Sequence, residues 1–414
     1  MQHNISFNGN VGTTRGIHAK PWDKFDSIAT GRIFGAWVDL RAGDTFGTVF
    51  TAEFDASRAI YIPRGVGNAY QTLEPNTAYT YFVNAHWSPD AEYTSLNLVD
   101  ETAAIDWPIR LDQAEISDKD CAHPRLSDVI PMTGRKTLVL GARGQAGIAL
   151  RSALPTADFA TRDQIDLSDT GCFDCIRWSD YDTVINAAAY TAVDAAETTE
   201  GTTAAWAVNV TATAALTRAA TAHHLTLVHI SSHYVFEGTT AKHPETEPLS
   251  PLGVYGQTKA TADAIFSTVP HHYIVRTSWV VGEGKNFVRT MASLAERGIS
   301  PAVVDEQIGR LTFTNDLAAG IRHLLATQPP FGTYNLTSSG EPQSWAALAK
   351  RVYELTGHDP AQVTGTSTEE YFADKQAALR LANSTLDLTT IEATGFVIRD
   401  ADEALRRYLS TTKL

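Results

Sequence analysis

A short apolar strand, Thr137-Leu-Val-Leu140, runs straight into Gly141-Ala-Arg-Gly-Gln-Ala-Gly147, and a Gly-x-x-Gly-x-x-Gly turn in that position leaves few folds open. Glycines at this spacing let the backbone approach a pyrophosphate, and a helix opening at about Gln145 offers its unpaired N–H groups to the anion. A lone glycine motif would say little, but this one follows a strand, precedes a helix and opens a stretch with a texture of its own. From Lys136 onward apolar strands alternate with Ala-rich helices, at Asp182-Thr-Val-Ile-Asn186, Leu225-Thr-Leu-Val-His-Ile230 and His272-Tyr-Ile-Val275. Alternation of that kind predicts a Rossmann-type, doubly wound parallel sheet.

The chain upstream reads differently. Residues 1–118 carry short β-rich runs such as Arg32-Ile-Phe-Gly-Ala-Trp-Val-Asp-Leu40 and Ala78-Tyr-Thr-Tyr-Phe-Val83, cut by glycine and proline turns, which predicts an all-β barrel or sandwich. A chain of 414 residues with 43% hydrophobic content can build two cores. The expected division is an all-β domain over 1–120, a linker over 121–135 with two prolines and a terminal glycine, and an α/β domain over 136–414. The formal charge of −14 argues against nucleic acid or a membrane surface as partner, and no apolar run is long enough to span a bilayer. A cytoplasmic protein is expected. Cys121, Cys172 and Cys175 suggest neither a disulfide framework nor a zinc site.

Within the α/β domain, Gly141, Arg143, Gly144, Gln145, Ala146 and Gly147 are the candidate phosphate cradle, with Asp166 and Leu167 toward the adenine end. The second strand ends near Ala160-Thr-Arg162 without the acid that would hold a ribose 2′-hydroxyl, so either NADPH or NADH is admitted. Tyr255 and Lys259 stand one helical turn apart, and 23 residues before Tyr255 the strand Leu225–Ile230 ends in Ser231-Ser232-His233-Tyr234. Ser232 can polarise a carbonyl, Tyr255 can protonate the developing alkoxide, and a cationic Lys259 lowers the phenol pKa.

The string Val184-Ile-Asn-Ala-Ala-Ala-Tyr-Thr-Ala-Val-Asp-Ala-Ala-Glu197, followed by His229-Ile-Ser-Ser-His-Tyr-Val-Phe236, Tyr255-x-x-x-Lys259, Arg276-Thr-Ser-Trp-Val-Val-Gly282 and Asn286-Phe-Val288, closely resembles dTDP-4-dehydrorhamnose reductases of the extended short-chain dehydrogenase/reductase superfamily. The resemblance covers about residues 136–414 and implies that Ser232, Tyr255 and Lys259 are catalytic, that Asn186–Ala189, including Ala187 and Ala188, line the cofactor, and that Trp279 lies near the sugar. It also implies a small C-terminal substrate subdomain and a place for Arg310 at the diphosphate. His233, expected at the substrate, stands where that family usually has Asp.

In the first domain, Arg15-Gly-Ile-His18, Trp37-Val-Asp-Leu-Arg41, Thr45-Phe-Gly47, Ile62-Pro-Arg-Gly65, Ser88-Pro-Asp-Ala-Glu92, Ile105-Asp-Trp-Pro108 and Ser117-Asp-Lys-Asp120 are similar, in order, to dTDP-4-dehydrorhamnose 3,5-epimerase, a cupin-type barrel. That resemblance implies His18 as base, Asp120 as the group that orients it, Lys24 at the enolate and Tyr81 as proton donor, with Arg15 and Asn68 at the substrate. Asn68 stands where the family carries a second histidine. The chain begins inside the usual pattern, so a barrel truncated at its start is expected. No metal is expected: before the linker the domain offers only His3, His18 and His86, with no His-x-His pair.

Together these readings describe a fused epimerase and reductase acting on a dTDP-4-keto-6-deoxysugar, with a homodimer through the cupin domain. Two alternatives stay open. The first domain could be a non-catalytic sugar-nucleotide binding or oligomerisation module. The second could be a nucleotide-sugar 4,6-dehydratase or epimerase with tightly bound NAD, although a dehydratase needs a carboxylate pair where His233 and Tyr234 stand.

Overall fold

The computed structural model describes residues 2–85, 93–373 and 377–411, and the chain divides into two compact units, Met1–Gly134 and Arg135–Leu414. In the first unit the strands Gln2–Asn8, Thr77–Val83, Lys24–Thr30 and Ala59–Ile62 lie side by side in that order as one antiparallel sheet. A second sheet runs Glu115–Ile116, Thr13–Ala19, Val66–Thr72, Ile33–Asp39 and Val49–Phe54, with Thr94–Ser95 also pairing to Thr13–Ala19. Side chains of both sheets, Ile28, Ile33, Tyr70 and Tyr79, pack together on one side. On the other side Ile17, Ala36, Val38, Leu40 and Ala69 are covered by Leu96, Leu98 and Trp107. Being buried on both faces, Ile33–Asp39 is nearly continuous in apolar residues rather than alternating.

Of residues 121–135, expected to be a linker, 121–134 belong to the first unit. Leu126, Val129 and Met132 are buried in the same core, and the Met132 N–H donates to the Leu40 carbonyl at 2.8 Å. Prolines and glycine here shape a packed segment, so the first unit extends beyond residue 120 to Gly134.

The second unit is built on a six-stranded parallel sheet in the order Asp158–Ala160, Lys136–Leu140, Tyr181–Asn186, Thr226–Ser232, His272–Thr277, Gly332–Asn335. The chain winds one way from Lys136–Leu140 to Asp158–Ala160, then the other way from Tyr181–Asn186 onward. The carboxyl ends of the first and third strands, Leu140 and Asn186, therefore flank a crevice, the place where such sheets take ligands. Separate cores lie on the two faces of this sheet, one around Leu138, Val184 and Leu227, the other around Val139, Ile185 and Val228. A third core, with Val288, Met291, Val352, Tyr353 and Leu405, belongs to the helices Phe287–Glu296, Trp345–Leu355 and Ala401–Thr411 and forms the small C-terminal subdomain. Among the described residues no helix is long and apolar enough to cross a membrane.

Candidate active sites

The crevice of the second unit holds a cavity of about 710 Å³. At its floor Gly141 has φ +87°, and a Cβ there would stand 2.7 Å from the Ala188 nitrogen. A Cβ on Gly147 would meet the Gly141 oxygen at 2.3 Å. Gly147 does not line the cavity; it lets the helix Gln145–Ala153 close down on the turn. Gly144 caps that helix without a side-chain hydrogen bond, which leaves its first N–H groups to face an anion. Arg143, Gln145, Ala146, Ala187 and Ala188 complete this end. Farther along, Asp166 and Leu167 line the cavity beside Arg162. The Asp166 carboxylate accepts from the Ser168 N–H at 2.9 Å and from Arg162 Nε at 3.3 Å, while Arg143 pairs with Asp163 at 2.6 Å. A tight glycine turn, an uncapped helix start and two exposed guanidinium groups fit a dinucleotide carrying an additional phosphate.

Ser232, Tyr255 and Lys259 line the same cavity. Ser232 ends the strand Thr226–Ser232; its hydroxyl accepts from the Tyr234 N–H at 3.3 Å and hydrogen-bonds the Tyr255 phenol. Tyr255 and Lys259 project from one face of the helix Val254–Phe266, and both are buried. Lys259 Nζ lies 2.8 Å from the Ile230 carbonyl and 3.0 Å from His229 Nε2. Burial pulls the Lys259 ammonium down to about 8, with Asp263 opposing. Burial pushes the Tyr255 phenol up to about 12, against the hydrogen bond from Ser232. The helix Val254–Phe266 is pinned at both ends. Glu197 Oε1 accepts the Val254 N–H at 2.9 Å, and buried Asp263 accepts from Arg276 Nε at 2.9 Å.

Sequence reasoning passed over His229. It lies fully buried under Lys259, stacked on Phe266 and 3.4 Å from the Asn186 amide, and burial followed by the charge of Lys259 holds it neutral. The available signal was a lone histidine inside an otherwise apolar central strand.

A second cavity, of about 310 Å³, shares His233, Tyr234, Trp279 and Val280 with the first and opens toward the C-terminal subdomain. Burial lowers His233 to about 4, against its 3.4 Å approach to the Thr277 carbonyl, so its ring is neutral near pH 7. Trp279 adopts φ +43° and stacks on Trp345 with centroids 3.7 Å apart. Gly309 seats that indole, since a Cβ there would come within 2.8 Å of the ring. Arg310, expected at the diphosphate, is turned elsewhere. Its Nε donates to the Gly340 carbonyl at 2.8 Å and its Nη1 to the Leu386 carbonyl at 3.2 Å, and it lines neither of these two cavities.

In the first unit, His18 and Asn68 face each other across neighbouring strands. His18 Nε2 is 2.9 Å from Asp120 Oδ1, and Asp120 is presented by the short helix Asp118–Cys121 that Ser117 caps. Burial alone would raise the Asp120 carboxyl, but the hydrogen bond and charge of His18 hold it below the usual range. Lys24 Nζ donates to Asn68 Oδ1 at 3.0 Å and sits 4.4 Å from the centre of the Tyr81 ring. Burial lowers its pKa, partly offset by Asp26 at 3.5 Å. Asn68 also donates to the Tyr79 hydroxyl at 3.2 Å, and Tyr79 donates to Asp26. His18, Lys24, Asn68 and Asp120 thus form one connected neighbourhood, with Tyr81 beside Lys24.

Arg15 is instead held in a partly exposed pair with Glu115, Nη2 to Oε1 at 3.2 Å. His123, in the segment misread as a linker, was missed: its ring lies 5.1 Å from that of His18, and neither nitrogen makes a hydrogen bond of ordinary geometry. His18, Asp120 and His123 each place a potential metal ligand within 4.8 Å of the others, a grouping that a count of histidines before residue 120 could not anticipate. His86 and the motif Ser88–Glu92 lie outside the described residues.

The family profile described as the RmlD substrate binding domain matches residues 135–414, and that of dTDP-4-dehydrorhamnose 3,5-epimerase matches residues 1–128. A dTDP-4-dehydrorhamnose reductase of Aggregatibacter actinomycetemcomitans is 34% identical over 299 residues, 66% of this chain and 97% of that protein. The chain belongs to the dTDP-4-dehydrorhamnose reductase family, with a 3,5-epimerase family member fused ahead of it. For the fused part, a protein named RmlC homolog from Streptococcus pyogenes is 44% identical over 135 residues, 32% of this chain and 68% of that protein. Among solved structures, the dTDP-4-dehydrorhamnose reductase of Bacillus anthracis in complex with NADP aligns with TM-score 0.62 and 28% identity, over 67% of this chain and 99% of that one.

Proposed function

We propose that the second unit reduces the C4 ketone of dTDP-4-dehydro-L-rhamnose to dTDP-L-rhamnose, and that the first exchanges protons at C3 and C5 of the preceding 4-keto sugar. The observation that carries the reductase reading is the convergence of Ser232, Tyr255 and Lys259 on the cavity that also holds the Gly141–Ala146 cradle. A bound NADPH supplies the hydride there. Ser232 holds the carbonyl oxygen, and Tyr255, protonated at working pH, gives its proton to that oxygen as charge develops. Lys259 has three N–H donors, of which two face Ile230 and His229, leaving one for the phenol oxygen or the cofactor ribose. In the first unit His18, oriented by Asp120, removes the proton next to the ketone, Lys24 offsets the enolate charge, and Tyr81 returns a proton.

The outward face of the four-stranded sheet exposes Ile5, Phe7, Phe25, Tyr61 and Phe82, which supports pairing of two copies through this unit. Charged, water-soluble reactants suit a cytoplasmic location. Both reactions are tested at once by supplying dTDP-4-dehydro-6-deoxyglucose and NADPH in deuterated water. The expected product carries deuterium at C3 and C5, and His18→Ala abolishes its formation while reduction of pre-epimerised substrate continues. NADPH consumption without deuterium uptake would leave the first unit as a binding module only.

A further inference from the structure

The 310 Å³ cavity beside the reacting centre has a chemical polarity that the proposed reaction does not by itself explain. One wall is aromatic: Trp345 stacks on Trp279 and meets Phe287 at 4.5 Å between centroids. Among the described residues that line it, the one with a permanent charge is Arg380. Its side chain is 14% exposed, Nη2 donates to Asp194 Oδ1 at 2.6 Å, and Nη1 donates to the Ala378 carbonyl at 3.1 Å. Two of the five guanidinium N–H groups are thus engaged in these bonds, and Asp194, at 48% exposure, is the wetter partner. His233 and Tyr234 separate this arginine from Ser232 and Tyr255, and both of them line the two cavities.

We propose that Arg380 is the diphosphate anchor of a nucleoside diphosphate sugar, a role that rests on the reductase reading above. The sugar ring then occupies the junction between the cavities, where Ser232 and Tyr255 reach its ketone. The diphosphate lies against the Arg380 fork, and the base lies toward the Trp279, Trp345 and Phe287 wall. A planar guanidinium in a largely buried setting suits two phosphate oxygens better than a lysine would, and apolar walls strengthen the pairing by excluding water. Asp194 keeps the otherwise isolated cation neutralised while the cavity is empty of substrate, and its exposed position lets water take over its solvation when phosphate displaces it. The residue assigned here takes the place that the Gln307–Thr312 motif suggested for Arg310, which is committed to the Gly340 and Leu386 carbonyls.

The test is inhibition by dTDP of the full chain's reduction of dTDP-4-dehydro-L-rhamnose, which reads nucleotide binding at the second unit apart from any site in the first, alongside titration with NADPH. Arg380→Gln should weaken dTDP binding at least about 10-fold, with NADPH affinity unchanged within about twofold. Arg380→Lys, which keeps the charge and most of the packing, should fall between the two, and it decides the matter should the glutamine variant unfold. Asp194→Asn frees the guanidinium and should hold or improve dTDP affinity. Equal losses of dTDP binding in Asp194→Asn and Arg380→Gln would show that the pair is only a structural tie and overturn the assignment. Unchanged dTDP binding in Arg380→Gln or in Arg380→Lys would overturn it too. Failure of the unaltered protein to bind dTDP would instead remove the nucleotide-sugar reading itself.

Discussion

Replacing Tyr255 by Phe removes one buried hydroxyl from a helix whose ends are held by Glu197 and Asp263, so the ring and its surroundings should stay in place. The loss can be sized from the phenol itself. Without it, the alkoxide forming at C4 takes its proton from water, an acid of pKa about 15.7, whereas burial sets Tyr255 at about 12. If about half of that difference of nearly four units appears in the barrier, reduction slows about 100-fold, equivalent to about 2.7 kcal/mol. Ser232 still polarises the carbonyl, so residual turnover should remain. The assay is single-turnover decay of NADPH absorbance with dTDP-4-dehydro-L-rhamnose, paired with fluorescence titration of NADPH. Expected are a kcat lowered about 100-fold and NADPH affinity within about twofold of the parent. A variant that turns over within about threefold of the parent would refute Tyr255 as proton donor.

Further expectations follow from the same geometry. In the proposed reduction Lys259 acts as a cation; since burial lowers it to about 8, the protonated fraction is complete well below that pH and declines above it, so kcat/KM for reduction should level off below pH 8 and fall above it, and a profile flat to pH 10 would contradict the role. Asp263→Ala leaves Arg276 buried without its partner and should cost the second unit about 3–5 kcal/mol in urea unfolding, a loss below about 1 kcal/mol showing that the pair is dispensable. Arg162→Ala should weaken NADPH about 10-fold more than NADH in matched titrations, because it removes an exposed guanidinium next to Asp166; equal effects on both cofactors would place the 2′-phosphate elsewhere.

What could be read from the sequence was chemistry written in local spacing. Gly141, Gly144 and Gly147 are fixed by one turn and one helix, and Tyr255 and Lys259 by a single helical period, so their geometry scarcely depends on the rest of the chain. The residues that escaped act through tertiary neighbours. His229 becomes a partner of Lys259 only when the strand Thr226–Ser232 is laid beneath the helix Val254–Phe266, 30 residues downstream. Arg380 meets Asp194 across 186 residues, and no spacing rule connects them. Arg310 shows the converse: its motif contributes Gln307 and Leu311 to the lining of the smaller cavity, yet the member that seats Trp279 is Gly309, and the arginine turns back to cap carbonyls. The misread linker has the same origin. Proline and glycine signal a turn whether the chain beyond it is packed or free, and the deciding cue was the apolar series Leu126, Val129, Met132, whose regular interval marks a segment with one face to bury. His123 sits in that segment, so recognising its packing is also what brings a second imidazole to within 3.9 Å of the Asp120 carboxylate that orients His18.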